Sequence, residues 1–198
     1  MTFVSPKPVT LQGCGVQLEP LTVAHAPDLF AITPPGTFDY FLSWPLEWTV
    51  AGLEAWLAKL IANPKNVCFA IRRLNPDGTA GDIVGSSSYM DIDPPNACVE
   101  IGATWYTPTA RGTSINPACK LLLLRHAFET LGCVRVTLKC DGRNLHSQRA
   151  ITKLGATREG TLRKHRIQQN GFVRDTVMFS VIRDEWPTVR AGLEARTH

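Results

Sequence analysis

The junction Trp105-Tyr106-Thr107-Pro108-Thr109-Ala110-Arg111-Gly112-Thr113-Ser114-Ile115-Asn116-Pro117, running directly into the apolar stretch Leu121 to Leu124, constrains this chain more than any other segment. A strand ending in aromatics crosses a short Arg-Gly-Thr-Ser turn and enters a helix. A fold that keeps this junction must set a strand end beside a helix N-terminus. Free backbone N–H groups and the positive end of the helix dipole then converge on one point, which attracts phosphate or another anion. Asn116 reads as the cap and Pro117 as the first residue of the helix, which carries Leu121, Leu124, Phe128 and Leu131 at helical spacing and stops at Gly132.

The charge distribution agrees with an anionic ligand. Residues 1–110 carry a net charge of −5 and residues 111–198 a net charge of +9, so the half that opens with the turn is the basic half. That asymmetry fits a polyanionic ligand or nucleic acid, or simply a solvated basic face. At 198 residues the chain suits one domain with a full core. Met1 to Thr10 lacks the plan of a signal peptide, and no apolar run approaches the ~20 residues of a membrane span. The six cysteines form no C-x-x-C pair, and the histidines at 126, 146 and 165 are scattered. Buried reduced thiols in a cytoplasmic protein without a metal site are the expectation.

Elsewhere the order of elements is readable. Val16 to Thr22 alternates like a strand, and Asp28 to Ile32 is a short helix broken at Thr33-Pro34-Pro35-Gly36. Thr49 caps a helix to Ala62. Strands are expected at Val67 to Arg73, Asp82 to Met90, Ala97 to Tyr106 and Val134 to Cys140. Asn144 caps another helix that stops at Gly155, and strands Thr161 to Ile167 and Phe172 to Val181 flank the turn Gln169-Asn170-Gly171. This order describes an α/β or α+β sandwich around one mixed sheet.

Simple alternation places Val99, Ile101, Ala103 and Trp105 on one face of the strand before the turn, and Glu100, Gly102, Thr104 and Tyr106 on the other. Glu100 is then either a general base, acting directly or through water, or an ion-pair partner. Ser147 stands one turn into the helix capped by Asn144. Its hydroxyl could donate to a developing anion and the Asn144 amide could contact a polar ligand, or both could be caps. Asp175 is expected as a buried carboxylate paired with Arg163 or Arg166. The aromatic segment Phe38, Tyr40, Phe41, Trp44 and Trp48 suits core, a dimer contact or a substrate pocket.

Together, Glu100-Ile101-Gly102, Trp105-Tyr106 with Pro108, and Arg111-Gly112-Thr113 resemble the acetyl-CoA signature of the GNAT acetyltransferases. Arg143-Asn144-x-x-Ser147, Lys153-Leu154-Gly155-Ala156-x-x-Glu159-Gly160 and Gly171-x-x-Arg174-Asp175-x-x-x-Phe179-Ser180 resemble its RimJ/RimL-type branch in order and spacing, strongly from Val99 to Trp186. The resemblance implies a mostly antiparallel twisted sheet, flanked by helices and splayed between its fourth and fifth strands. It implies that Arg111, Gly112, Thr113, Ser114, Ile115 and Asn116 hold the CoA pyrophosphate. Trp105, Tyr106 and Thr107 would lie along the pantetheine arm, with a backbone N–H polarising the thioester carbonyl, and Asn144 would contact the arm. An acceptor amine, on a protein N-terminus or a small molecule, would attack acetyl-CoA directly, with Ser147 as general acid and Glu100 matching a base position. Two departures stand out. Ser114 and Asn116 fill places where small residues are usual, and Arg166 stands where some members carry a catalytic carboxylate. A non-catalytic module holding CoA, RNA or a protein is the alternative. No metal or membrane is implied, and a homodimer is compatible with the exposed aromatics.

Overall fold

The computed structural model describes residues 2–34 and 36–197. Its strands are β1 (Leu11–Gly13), β2 (Val16–Pro20), β3 (Val67–Leu74), β4 (Ala80–Asp93), β5 (Cys98–Tyr106), β6 (Arg135–Asp141), β7 (Thr157–Ile167) and β8 (Val173–Ile182). The helices are α1 (Ala26–Ile32), α2 (Val50–Ala62), α3 (Ile115–Arg125), α4 (Leu145–Leu154) and α5 (Trp186–Glu194). The strands make one sheet in the order β1-β2-β3-β4-β5-β6-β8-β7. Every neighbouring pair is antiparallel except β5 and β6. The mixed, mostly antiparallel sheet flanked by helices is the expected architecture. Pro35, in the expected helix-breaking segment, lies outside the described residues. The short β1, unforeseen from the sequence, pairs with β2 and shifts the strand count by one.

Helices cover both faces because the apolar positions fall into two cores. One gathers Leu18, Phe69, Ile101, Leu121, Leu124, Val136 and Phe179 under α3, α4 and α5. The other gathers Leu29, Phe38, Leu53, Trp56, Leu57 and Trp105 under α1 and α2. α3 is buried almost all round, at Ile115 and then from Pro117 through Leu124, as its apolar composition demands. It continues through a π-type turn over His126–Thr130, and the chain leaves through Gly132 at φ +72°.

Two irregularities shape the middle of the sheet. Among the described residues, β5 and β6 pair only at Cys98 with Arg135, Val99 with Val136, and Glu100 with Thr137. Beyond Glu100 they diverge, which is the expected splay, here between the fifth and sixth strands. The second irregularity corrects the alternation. Ser88 of β4 faces Gly102 while Ser86 faces Trp105, so β5 holds one extra residue, and Ala103 takes a left-handed φ of +47°. This β-bulge reverses which face later side chains point to. Val99 and Ile101 join the α3-side core, but Trp105 joins the α2-side core and Tyr106 crosses to α3.

Candidate active site

The anion turn is built as its residues suggest. Gly112 has φ +76° with open space where a Cβ would stand. Ser114, in a place where glycine is usual, has φ −67°, so it needs no glycine. Thr113 Oγ1 donates to Ala110 O at 2.8 Å and accepts from Ile115 N–H at 3.3 Å, which pins the turn. Among the described residues, no protein acceptor takes up the N–H groups of Gly112, Thr113, Ser114 or Asn116. The cap assignment needs correction: the helix begins at Ile115 with Ser114 as its N-cap, and Asn116 is the second helical residue. The Asn116 side chain accepts from the Tyr106 hydroxyl at 3.1 Å instead, tying the helix to the end of β5. Arg111 Nε donates to Tyr106 O at 3.1 Å.

The splay opens a cavity of about 780 Å³ that reaches from this turn through the sheet. Trp105, Tyr106, Arg111, Gly112, Asn116, Lys120, Asn144 and Ser147 line it together with Glu100, so most of the expected site residues meet in one space. Thr107 N–H donates back to Val84 O of β4 at 2.9 Å. Successive residues of a strand present their N–H groups to opposite edges, so Tyr106 N–H points into the gap left by β6. The strand edge, rather than the aromatic side chains, is therefore what the gap receives from this segment. The Trp105 ring packs away from it, edge-on to Phe38 at 5.8 Å.

Across the gap, Asn144 caps α4: its Oδ1 accepts from Ser147 N–H at 2.9 Å. This leaves the Asn144 NH₂ and the Ser147 hydroxyl at the cavity wall, which Cys140 also lines. Burial raises the pKa of the Cys140 thiol above its ordinary value, while the nearby Ser147 hydroxyl opposes the shift. Glu100, the last residue paired across the seam, accepts from Lys139 Nζ at 2.6 Å, and Lys139 also reaches Asp91 at 2.7 Å. Burial raises the Glu100 carboxyl above the usual carboxylate range, only partly opposed by Lys139. Glu100 is thus an ion-pair partner, as one of the two readings expected, and its carboxyl is raised by burial.

Other expectations fare unevenly. Asp175 is exposed, not a buried partner of Arg163 or Arg166; it accepts from the backbone N–H of Lys164 at 2.7 Å. Lys164 has φ +49° where the extra residues of β7 shift the β7–β8 register, and this irregular stretch presents its N–H to the exposed carboxylate. Cys68, Cys119, Cys133 and Cys140 are buried free thiols, but Cys14 is exposed and Cys98 half-buried. The aromatic segment divides: Phe38 is core, while Tyr40, Phe41 and Leu42 border the cavity. Arg166 and His165 also line it, and burial lowers the His165 pKa. No group of three or more metal-binding side chains occurs among the described residues. Among those residues no helix is long and apolar enough to cross a membrane.

Sequence reasoning missed Lys120, Lys139 and Asp91. Lys120 had a visible signal, a lone charge embedded in the apolar run up to Leu124. Its residue is 6% exposed, and Nζ donates to Thr104 Oγ1 at 2.8 Å, which in turn lies 2.7 Å from Ser87 Oγ. Burial pushes the Lys120 amine down to about 8.

Residues 16–157 match the model of the acetyltransferase (GNAT) domain. A solved protein of T. thermophilus carrying an acetyltransferase designation is 38% identical, with a TM-score of 0.90, over 98% of this chain and 100% of that one. A GCN5-related N-acetyltransferase from Brucella melitensis is 28% identical, with a TM-score of 0.89, over 100% of this chain and 89% of that one. Among curated proteins no sequence matches the chain. With its splayed sheet, its turn of free N–H groups and a family match over most of its length, the chain belongs to the GNAT acetyltransferases and is an acyltransferase enzyme.

Proposed function

We propose that the protein moves an acetyl group from acetyl-CoA to a primary amine by direct attack, without an acyl-enzyme. The row of free N–H groups at Gly112, Thr113, Ser114 and Asn116, opening onto the split between β5 and β6, carries this reading. A pyrophosphate suits those donors and the positive end of α3. The edge of β5 from Trp105 to Thr107 offers the Tyr106 N–H to an extended arm, and the Asn144 NH₂ faces it from α4. Acetyl-CoA supplies the activated thioester. Ser147 protonates the departing thiolate, and Glu100 receives the amine proton, directly or through water.

The motifs from Arg143 to Ser180 favour the RimJ/RimL-type branch, whose acceptors include protein N-termini; a small-molecule amine is equally compatible with the cavity. The direct test is release of CoA thiol by the purified protein given acetyl-CoA and a panel of amines and N-terminal peptides. Ser147→Ala is expected to slow that release by about 10²-fold or more. Wild-type rates in the variant would remove Ser147 from the mechanism.

A further inference from the structure

Two polar side chains share one stripe of α3 and line the cavity: Asn116 and, one turn further, Lys120. Asn116 is engaged by Tyr106. Lys120 has three donors and, among the described residues, a single protein partner, the Thr104 hydroxyl at 2.8 Å. Among the described residues no carboxylate pairs with it. An ammonium buried against one neutral hydroxyl is unfavourable by itself and is completed by a ligand that brings polar or negative atoms. Its place tells which atoms those are. Thr104 directly follows Ala103, the residue that bends β5, and is two residues deeper than the Tyr106 N–H along the edge that the arm would follow. The charge therefore sits beyond the phosphate-binding turn, where the acyl end of the arm arrives.

We propose that Lys120 is a catalytic residue: its ammonium, held at the β5 bend by Thr104, donates a hydrogen bond to the acyl carbonyl oxygen of the donor thioester. This rests on the reading of the cavity as the acyl-donor site. In the reaction the amine nitrogen bonds to the carbonyl carbon and the carbon–sulfur bond breaks. The electron pair leaves with sulfur, which takes a proton from Ser147; the amine proton passes to the base, and exchange through water returns a proton from the base to Ser147. Lys120 keeps its proton throughout and stabilises the negative charge that grows on oxygen. With burial lowering the amine only to about 8, most of it is charged at pH 7.

The test needs no acceptor. The full-length protein is saturated with acetyl-CoA labelled with ¹³C at the acetyl carbonyl, and the bound resonance is compared with that of the free donor. The wild type is expected to move the resonance downfield. Lys120→Met should bind the donor and lose most of that displacement, and Thr104→Val, which keeps the ammonium but frees it, should fall between them. With an accepted amine, Lys120→Met should lower kcat by about 10²–10³-fold at nearly constant donor KM. An unchanged bound resonance in Lys120→Met overturns the proposal and leaves the donor site standing. Donor binding abolished in that variant alone would show that Lys120 holds the donor as a whole rather than polarising its carbonyl and overturns it too, as does a stable acetyl adduct on Lys120 by mass spectrometry. Failure of the wild type to bind acetyl-CoA overturns both readings.

Discussion

Lys120 and Lys139 reach the same cavity from opposite walls, and their surroundings drive them apart. Lys139 stands between Glu100 and Asp91 at 2.6 and 2.7 Å. Burial there lowers its pKa, but the two carboxylates outweigh it and the net shift is upward. Among the described residues Lys120 has only the Thr104 hydroxyl as a hydrogen-bond partner, so burial outweighs the small opposing influence of Cys119 and the amine falls to about 8. One wall is electrostatically complete in the free protein; the other is left for a ligand to complete. The difference is that between a pair that fastens a structure and a charge kept in reserve for chemistry.

Removing each lysine in turn should give changes of opposite sign. Lys120→Met is expected to stabilise the free protein at pH 7 by on the order of 3 kcal/mol, from a shift of 10.5 to about 8. The advantage is pH-dependent. Below about 8 both folded and unfolded wild type are protonated and the folded state carries the full cost. Between 8 and 10.5 the unfolded chain binds the extra proton, so wild-type stability rises with pH and the gap closes. Urea midpoints at pH 7 and pH 10.5 measure this, and a gap that stays constant would show that the unpaired charge is not its source.

Lys139→Met leaves two carboxylates without their cation and is expected to destabilise by about 1–2 kcal/mol, a modest loss because Asp91 is 56% exposed. The same variant sharpens the assignment of the base. Glu100 is already raised by burial, and losing Lys139 raises it further, so the acidic limb of kcat/KM should move to higher pH. A limb that stays in place would remove Glu100 as the base. The smallest change is expected at Ser114→Gly. Since Ser114 holds φ −67°, glycine brings no new approach to phosphate, and stability should change by only a few tenths of a kcal/mol. A large gain in donor affinity would show that Ser114 obstructs the turn.

The parts of this site that the sequence disclosed are local. Asn144 capping Ser147 N–H, Gly155 and Gly132 ending helices, and the apolar stripe of α3 depend on residues a few positions apart, and each appears where its spacing puts it. The parts it hid depend on one irregular residue or on distant partners. Ala103 and Lys164 take left-handed backbone conformations that their residue types do not announce. Past Ala103 the strand turns Trp105 into the α2-side core, and at Lys164 the backbone N–H goes to the carboxylate of the exposed Asp175. Asn116 looked like a cap because nothing nearby reveals that a tyrosine ten residues earlier would engage its side chain. Lys139 meets Asp91 across 48 positions of sequence, a separation that no spacing rule covers.

The three residue pairs between β5 and β6 have a mechanical consequence. Strands β1 to β5 and strands β6, β8 and β7 are two plates, and among the described residues the strand pairs from Cys98–Arg135 to Glu100–Thr137 rivet them within the sheet, while Gln168, Gln169 and Arg174 strap the second plate to the 39–42 segment. A load across the sheet is shared between that short seam and these straps. Glu100, at the last rivet, thus sits at the fulcrum, and whatever wedges between the plates pries against the carboxylate held by Lys139.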